Sequence, residues 1–177
     1  MIINKKVKTI SEWVSITERE VLLDKLKGPE IFHSFSLADY VSVVAVDENG
    51  KIPLVRQYRP ALDTFTIELP GGLLDAGETP EFRARKELIE ETGLIPSGLL
   101  APLPCLLPDT GRLENRLWGF FTEANKSTNL EWRQETGVEP LFVTRDTLRK
   151  MILKGEFNHA LHVALIGLAH MKGYLKW

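Results

Sequence analysis

The sequence predicts an α/β domain, because short apolar runs typical of strands alternate with segments that carry helix signals. Residues 41–46 form a run typical of a buried strand, and residues 51–58 form a second run after a turn. Helix signals, with a capping residue before and a glycine after, mark residues 80–92 and 145–154. We expect the second strand to return antiparallel to the first, with Pro53 at a sheet edge or a bulge.

Composition narrows the class of protein. Of the 177 residues, 44% are hydrophobic and 26% are charged, which is typical of a soluble globular chain. The net charge of −2 provides no electrostatic attraction to nucleic acid or to an anionic membrane surface. Cys105 is the only cysteine, so an intramolecular disulfide and a cysteine-based zinc site are excluded. Without a signal-like or membrane-length apolar run, we expect a soluble, cytoplasmic protein.

A glycine-rich loop leads directly into the first predicted helix. Three residues set the ends of this helix: Thr79, Pro80 and Gly93. Within it, Glu87, Glu90 and Glu91 are spaced i, i+3 and i+4, so their carboxylates project from one side. Each such like-charge pair costs the helix about 0.2–0.5 kcal/mol. A Mg²⁺ ion bound between the carboxylates would reverse that sign, because Mg²⁺ prefers oxygen ligands.

The same helix also has an ordinary structural interpretation. Arg83 and Lys86 precede Glu87 and Glu90 by four residues, a spacing that forms ion pairs on a solvated helix face. Two observations favour a site instead: the double glycine of the loop, and the strand-like run at residues 64–69 that precedes it.

The stretch from the loop to the end of this helix resembles the Nudix box, G-x5-E-x7-R-E-U-x-E-E-x-G-U, in which U is aliphatic. The matching positions are Gly72, Glu78, Glu87, Leu88, Glu90, Glu91, Gly93 and Leu94. Lys86 departs from the pattern, since the family has an arginine there that is thought to hold the catalytic glutamates by a forked contact. Lysine cannot reproduce that planar geometry. The segment Leu-Val-Arg-Gln-Tyr-Arg, followed by Glu-Leu-Pro-Gly-Gly, resembles the ADP-ribose pyrophosphatase branch of the family.

The resemblance implies a Nudix α/β/α sandwich with a mixed β-sheet at residues 38–177, preceded by an N-terminal strand extension at residues 1–37. In this branch such strands commonly exchange with a partner subunit, so the resemblance also implies a homodimer. Trp13 and Phe32 in the extension are expected to be packing residues rather than site residues.

The implied activity is hydrolysis of the diphosphate bond of a nucleoside diphosphate sugar. Glu87, Glu90, Glu91 and the carbonyl of Gly71 would hold Mg²⁺, for which Mn²⁺ can substitute, while Glu78 orients a box residue. ADP-ribose would give AMP and ribose 5-phosphate. Three alternatives stay open: another sugar nucleotide such as GDP-mannose, an oxidised nucleoside triphosphate, and a sensor that binds nucleotide sugars without hydrolysing them, which Lys86 favours.

Arginine is the preferred residue for a forked contact with phosphate. The resemblance assigns contact with the substrate diphosphate to Arg59 and Arg56, which could otherwise be two surface arginines. Glu114 and Arg116 correspond to a passage that lines the substrate cleft in the family, although a mutual surface pair explains them equally well.

Residues 123–137 are polar and predict a mobile loop. In the resembling branch an acidic residue of this loop activates or positions water, and Glu135 is the best-placed candidate, with Glu131 in reserve. His159 and His162 lie three residues apart, but no acidic residue stands beside them in the sequence, so we expect structural roles for them.

Overall fold

The computed structural model describes residues 1–127 and 132–177 and divides into two compact units. The first unit comprises Met1–Asp39 and Leu107–Arg116, and the second comprises Tyr40–Leu106 and Leu117–Trp177. In these described parts, no helix has the length and apolar character that crossing a membrane requires.

The first unit contains a three-stranded antiparallel sheet. Its strands, in spatial order, are β1 (Ile2–Thr9), β2 (Ser15–Asp24) and β3 (Gly28–Ser36). Polar and apolar residues alternate at positions 6–10 and 13–21, which predicts the first two strands, whereas no such pattern predicts the third. Every residue of β1 is exposed, and the side chains of Trp13 and Phe32 are 62% and 44% exposed. The packing roles predicted for these two aromatic residues are therefore wrong within a single chain.

The second unit contains two further sheets. One has the strand order β7 (Gly71–Leu73), β4 (Tyr40–Asp47), β10 (Leu117–Lys126) and β8 (Leu94–Pro96), with β9 (Ala101–Pro102) also paired to β10. The β4–β10 pairing is parallel and the others are antiparallel, so this sheet is mixed. The other sheet is antiparallel, with the order β11 (Val138–Val143), β5 (Ile52–Arg59) and β6 (Thr64–Glu68).

In the described parts of the chain, three helices accompany these sheets: α1 (Pro80–Thr92), α2 (Arg145–Lys154) and α3 (Ala160–Met171). The predicted ends of α1 are confirmed, since the Thr79 hydroxyl accepts from the Phe82 N–H at 3.3 Å and Gly93 has φ 70°. Local capping chemistry also sets α2, which Thr144 begins and Gly155 ends.

Side chains of β4 alternate between two apolar clusters, so this strand is buried on both faces. Val41, Val43 and Ala45 pack with Ala84 and Leu88 of α1. On the opposite face, Val44 and Val46 belong to a larger cluster. Its members from the second sheet and from the last two helices include Ile52, Leu54, Leu148 and Leu165.

The predicted antiparallel pairing of the runs at 41–46 and 51–58 is wrong. The chain does turn at Asp47, whose carboxylate accepts from the N–H groups of Asn49 and Lys51 at 2.9 and 2.7 Å. However, β5 pairs with β6 and β11 rather than with β4. Burying Ile52 and Leu54 in the large cluster places β5 in a different sheet from β4. The α/β fold class with a mixed sheet is confirmed.

Candidate functional site

The glycine loop and α1 are held together by the first and last carboxylates of the box. The Gly71 N–H donates to Glu91 Oε2 at 2.8 Å. A side chain at Gly72 would overlap the Glu87 carboxylate, and one at Gly71 would overlap the backbone of β4. Gly72 therefore lets the loop pass close to α1, and Gly71 lets it pass close to β4, in a position from which the loop backbone contacts the Glu91 carboxylate.

The three box glutamates differ in burial. Glu87 and Glu91 are 5% and 4% exposed, while Glu90 lies at the exposed side of the same helix. Burial, with the nearby charges of Glu87 and Glu135, raises the pKa of Glu91 to about 8, although the Gly71 N–H and Arg59 partly offset the rise. Burial also raises the pKa of Glu87, with Glu90 and Glu135 contributing in the same direction.

This cluster fits a hard divalent cation. Buried like-charged carboxylates are costly to ionise, and a bound cation offsets that cost. Carboxylate oxygens are also the ligands that Mg²⁺ prefers. In the present arrangement Glu87 is turned towards Arg83 and Glu91 towards Gly71, so the box oxygens do not converge on a single point.

Arg83 is the cation nearest to these carboxylates among the ion pairs of the described residues. Its NH2 group lies 2.5 Å from Glu87 Oε1, and its NH1 group lies 3.0 Å from Asp75 Oδ2 and 3.7 Å from Glu78 Oε2. The ion pair with Glu87 that its helical spacing allows is thus present, inside the site rather than on a solvated face. Lys86 forms no ion pair within the described parts of the chain.

Glu135 is brought to the box by the segment that precedes β11. It lines a cavity of about 390 Å³, here called the carboxylate cavity, together with Arg83, Glu87, Glu90 and Trp132. The negative charge of Glu135 contributes to the raised pKa of both Glu87 and Glu91. Glu131, the reserve candidate, lies outside the described residues.

Trp132 connects the segment that precedes β11 to the end of α1. Its indole Nε1–H donates to the Ile89 carbonyl at 2.8 Å, and its ring lies 3.1 Å from where a side-chain carbon on Gly93 would be. Glycine is therefore favoured at position 93 for two reasons: the backbone there has a positive φ, and a side chain would crowd the indole ring. Sequence reasoning missed Trp132, for which the available signal was a single large aromatic residue in a polar segment.

Arg59 forms a fork with Glu68. Its Nε and NH2 groups donate to the two Glu68 oxygens, each at 2.7 Å, and Thr66 donates to the same carboxylate at 2.7 Å. Burial alone would raise the pKa of Glu68, but the bonds from Arg59 and Thr66 outweigh it and lower the pKa to about 2. The other edge of the guanidinium, with three N–H groups, remains available to an anion. Glu68 begins the Glu-Leu-Pro-Gly-Gly segment that carries the family resemblance, but the sequence alone did not indicate its contact with Arg59.

The structure places Glu68, which is distant in the sequence, beside His159 and His162. The three residues offer ligand atoms within 4.8 Å of one another, which the box carboxylates do not, among the residues the structure describes. Burial lowers the pKa of His162 to about 3, so its ring is neutral.

The hydrogen bonds nevertheless argue against a metal at these histidines. His162 Nδ1 accepts from the Leu69 N–H at 3.1 Å, and His159 Nδ1 accepts from the His162 N–H at 3.4 Å. A neutral ring that accepts at Nδ1 carries its proton on Nε2 and has no lone pair left for a cation. Both Glu68 oxygens are also occupied by Arg59. This cluster is a satisfied polar network, and the box is the better cation site.

Arg56 lies apart from Arg59. Its guanidinium stacks 4.0 Å over the Phe65 ring and pairs with Glu139 at 3.1 Å. Arg56 lines a cavity of about 430 Å³ with Phe65 and Glu139, whereas Arg59 lines one of about 420 Å³ with Glu68 and His159. Residues an odd number of positions apart on a strand point to opposite faces, which separates the two arginines.

Glu114 and Arg116 belong to the first unit. The Glu114 carboxylate pairs with Arg19 at 2.6 Å and accepts from the hydroxyls of Ser34 and Ser36 at 2.5 and 2.8 Å, which lowers its pKa to about 2. The alternative of a mutual pair with Arg116 is therefore wrong. Arg116 is exposed, and its backbone N–H donates to Asp39 at 2.8 Å.

Comparison with known protein families gives a match to the NUDIX domain over residues 37–164. The chain belongs to the NUDIX domain family. The match spans most of the chain and includes both the box and Arg59, so the resemblance read from the box residues is confirmed.

Individual relatives match mainly around the box. Over 53 residues the chain is 49% identical to an ADP-ribose pyrophosphatase of Bacillus subtilis. The aligned segment covers 30% of this chain and 29% of that protein. Over 55 residues it is 54% identical to an ADP-ribose pyrophosphatase of Mycobacterium tuberculosis, covering 30% and 27%. The chain thus matches less than a third of the length of these curated relatives.

The whole NUDIX fold is also found in a solved structure. A crystal structure of an ADP compounds hydrolase superposes with a TM-score of 0.77, covering 99% of this chain and 96% of that chain. The two sequences are only 16% identical, so this likeness concerns the fold alone.

Proposed function

We propose that this protein hydrolyses the diphosphate bond of a nucleoside diphosphate sugar, and that ADP-ribose is its substrate, giving AMP and ribose 5-phosphate. The observation that carries the proposal is the pair of buried glutamates, Glu87 and Glu91, held against a glycine loop, with the positive charge of Arg59 near enough to Glu91 to act on its pKa. The similarity of the box segment to ADP-ribose pyrophosphatases supports this choice of substrate.

In this proposal Glu87, Glu90, Glu91 and the Gly71 carbonyl hold Mg²⁺, with Mn²⁺ as a substitute. When bound, the cation neutralises phosphoryl oxygens and lowers the pKa of a coordinated water. The Gly71 N–H fixes the Glu91 carboxylate in place, and the absence of a side chain at Gly72 lets the loop lie close to the Glu87 carboxylate.

Two further groups act on the substrate and on water. Arg59 binds a phosphate through the guanidinium edge that Glu68 leaves free, and the fork to Glu68 fixes the orientation of that edge. Glu135, an exposed carboxylate in the carboxylate cavity, accepts a proton from the attacking water. Arg56, Glu114 and Arg116 remain candidates for contacts with other parts of the substrate.

A substrate panel tests the proposal. We expect kcat/KM for ADP-ribose to exceed the values for GDP-mannose, ADP-glucose and 8-oxo-dGTP by at least about tenfold, the effect of roughly one added hydrogen bond. Release of mononucleotide is measured by chromatography with and without Mg²⁺. A preference for another substrate would still agree with the proposed type of reaction, but it would overturn ADP-ribose as the substrate. Tight binding of ADP-ribose without turnover would favour the sensor.

We also propose that residues 1–37 form an extension whose strands pair with a second copy of the chain. The apolar side chains exposed on this extension support that arrangement, since isolated chains rarely expose large apolar patches. They include Ile2, Ile3, Val7, Ile10, Trp13, Ile31 and Phe32. Light scattering is expected to give twice the 20.0 kDa mass of the chain. A monomer at micromolar concentration would contradict this arrangement.

A further inference from the structure

The side chain of Arg83 connects the box loop to a buried box carboxylate. From the first turn of α1, its guanidinium reaches Asp75 and Glu78 in the loop and Glu87 one turn further along the helix. The Arg83 side chain is 16% exposed and that of Glu87 is 7% exposed, so their contact at 2.5 Å is largely shielded from water. Charge-assisted contacts of this kind are stronger than exposed ion pairs.

Lys86 occupies the position at which the box pattern has arginine, but its side chain does not hold a box carboxylate in place. Among the described residues its ammonium reaches no carboxylate, whereas Arg83, four residues before Glu87, lies on the same helix face. Of these two residues, Arg83 is therefore the one that forms an ion pair with a box carboxylate in the described part of the chain.

We propose that Arg83 is the positioning residue for Glu87, and that it takes over in this chain the role that the family pattern gives to the residue at position 86. The inference rests on the proposed function. Arg83 acts through Glu87 rather than on the substrate: it holds the carboxylate at one orientation and ties it to the loop through Asp75 and Glu78. The departure at Lys86 is then compensated within the same helix.

Activity measurements test the proposal with matched variants. Arg83→Ala is expected to lower kcat by about 10–10²-fold, the usual cost of a misplaced catalytic group, with KM changed less than about twofold. Arg83→Lys is expected to recover part of the loss. The double variant Arg83→Ala/Lys86→Arg is expected to recover most of it, because it restores a guanidinium at the family position.

Two single variants serve as controls: Lys86→Ala, and Arg85→Ala, whose side chain donates to the Gly98 carbonyl at 2.7 Å. Both are expected to keep kcat within about twofold of the wild type, because neither side chain forms an ion pair with a box carboxylate among the described residues. The proposal is overturned if Lys86→Ala loses as much activity as Arg83→Ala. It is also overturned if Arg83→Ala keeps the wild-type kcat, or if Lys86→Arg gives no rescue.

Thermal unfolding in EDTA tests the contact without using activity. Arg83→Ala is expected to lower Tm in the wild-type background but not in a Glu87→Gln background, because the two side chains are coupled. An equal fall in both backgrounds would overturn the contact. If Arg83→Ala does not unfold cooperatively, Arg83→Lys takes its place in the cycle. If the wild type hydrolyses no substrate, the proposed function fails, while this cycle still decides the role of Arg83.

Discussion

Glu91→Gln is expected to lower the turnover of ADP-ribose by about 10²–10⁴-fold while leaving the fold intact. Glutamine has nearly the same shape, and its amide oxygen can accept the Gly71 N–H that Glu91 accepts at 2.8 Å. The variant therefore removes the negative charge from the cation site and keeps the loop contact. Steady-state kcat measured with Mg²⁺, with circular dichroism to check the fold, gives the result.

The same variant should also change how stability depends on pH. The pKa of Glu91 is raised to about 8 in the folded protein, above the value of about 4.3 for an unfolded glutamate. A raised carboxyl pKa means that stability is greatest below the unfolded value and is lost as the pH rises towards 8. In EDTA at pH 9, Glu91→Gln should therefore unfold at a Tm equal to or above that of the wild type.

Glu81→Gln is the matched control for both measurements, since Glu81 lies in the first turn of the same helix, away from the carboxylate cavity. It should change kcat by less than about twofold, because surface substitutions away from special contacts usually have small effects. Full activity of Glu91→Gln, or a lower Tm than the wild type at pH 9, would contradict the role of Glu91.

Arg59→Ala is expected to raise KM for ADP-ribose by about 10–10²-fold and to destabilise the fold. A hydrogen bond to a charged group contributes about 1.5–3 kcal/mol, and tenfold in affinity corresponds to about 1.4 kcal/mol. The variant also leaves Glu68, whose side chain is 4% exposed, without its counter-ion. Because the Arg59 side chain is 44% exposed, water screens this loss, and we expect the lower end of that range for stability.

The pH dependence of the stability difference follows from Glu68. Its pKa is lowered to about 2, so the contribution of the fork is fully present above the unfolded value of about 4.3 and disappears as the pH falls towards 2. Denaturant unfolding of Arg59→Ala and of the wild type should therefore differ most at neutral pH and converge in acid.

Arg59→Ala/Glu68→Gln separates the two effects. In Arg59→Ala the Glu68 carboxylate is left without its counter-ion. Removing this charge by Glu68→Gln should recover part of the stability but none of the lost substrate affinity. If KM returns to the wild-type value in the double variant, Arg59 serves the fold and does not bind the substrate.

Local chemistry explains which parts of this protein the sequence could predict. Thr79 and Gly93 fix the ends of α1 through caps within the same helix, and helical spacing alone places Glu87 and Glu91 on one side. The separation of Arg56 from Arg59 also follows from strand alternation, although only the structure identifies their partners, Glu139 and Glu68.

Contacts between distant segments escaped prediction. Glu68 meets His162 across 94 positions of the sequence, and Trp132 reaches the end of α1 from a segment with no regular structure. The pairing of β5 with β11 rather than with β4 depends on how apolar surface is shared between two sheets. Strand pairing of this kind depends on the packing of the whole domain. The hydrophobic periodicity of a single segment carries no information about that packing.

The most direct test of the account is phosphorus NMR of ADP-ribose incubated with the wild-type protein and Mg²⁺ in isotopically labelled water. We predict that the two diphosphate resonances are replaced by those of AMP and ribose 5-phosphate, that one product carries the label, and that EDTA stops the reaction. Unchanged diphosphate resonances in a sample where ADP-ribose binds the protein would contradict hydrolysis at the box carboxylates.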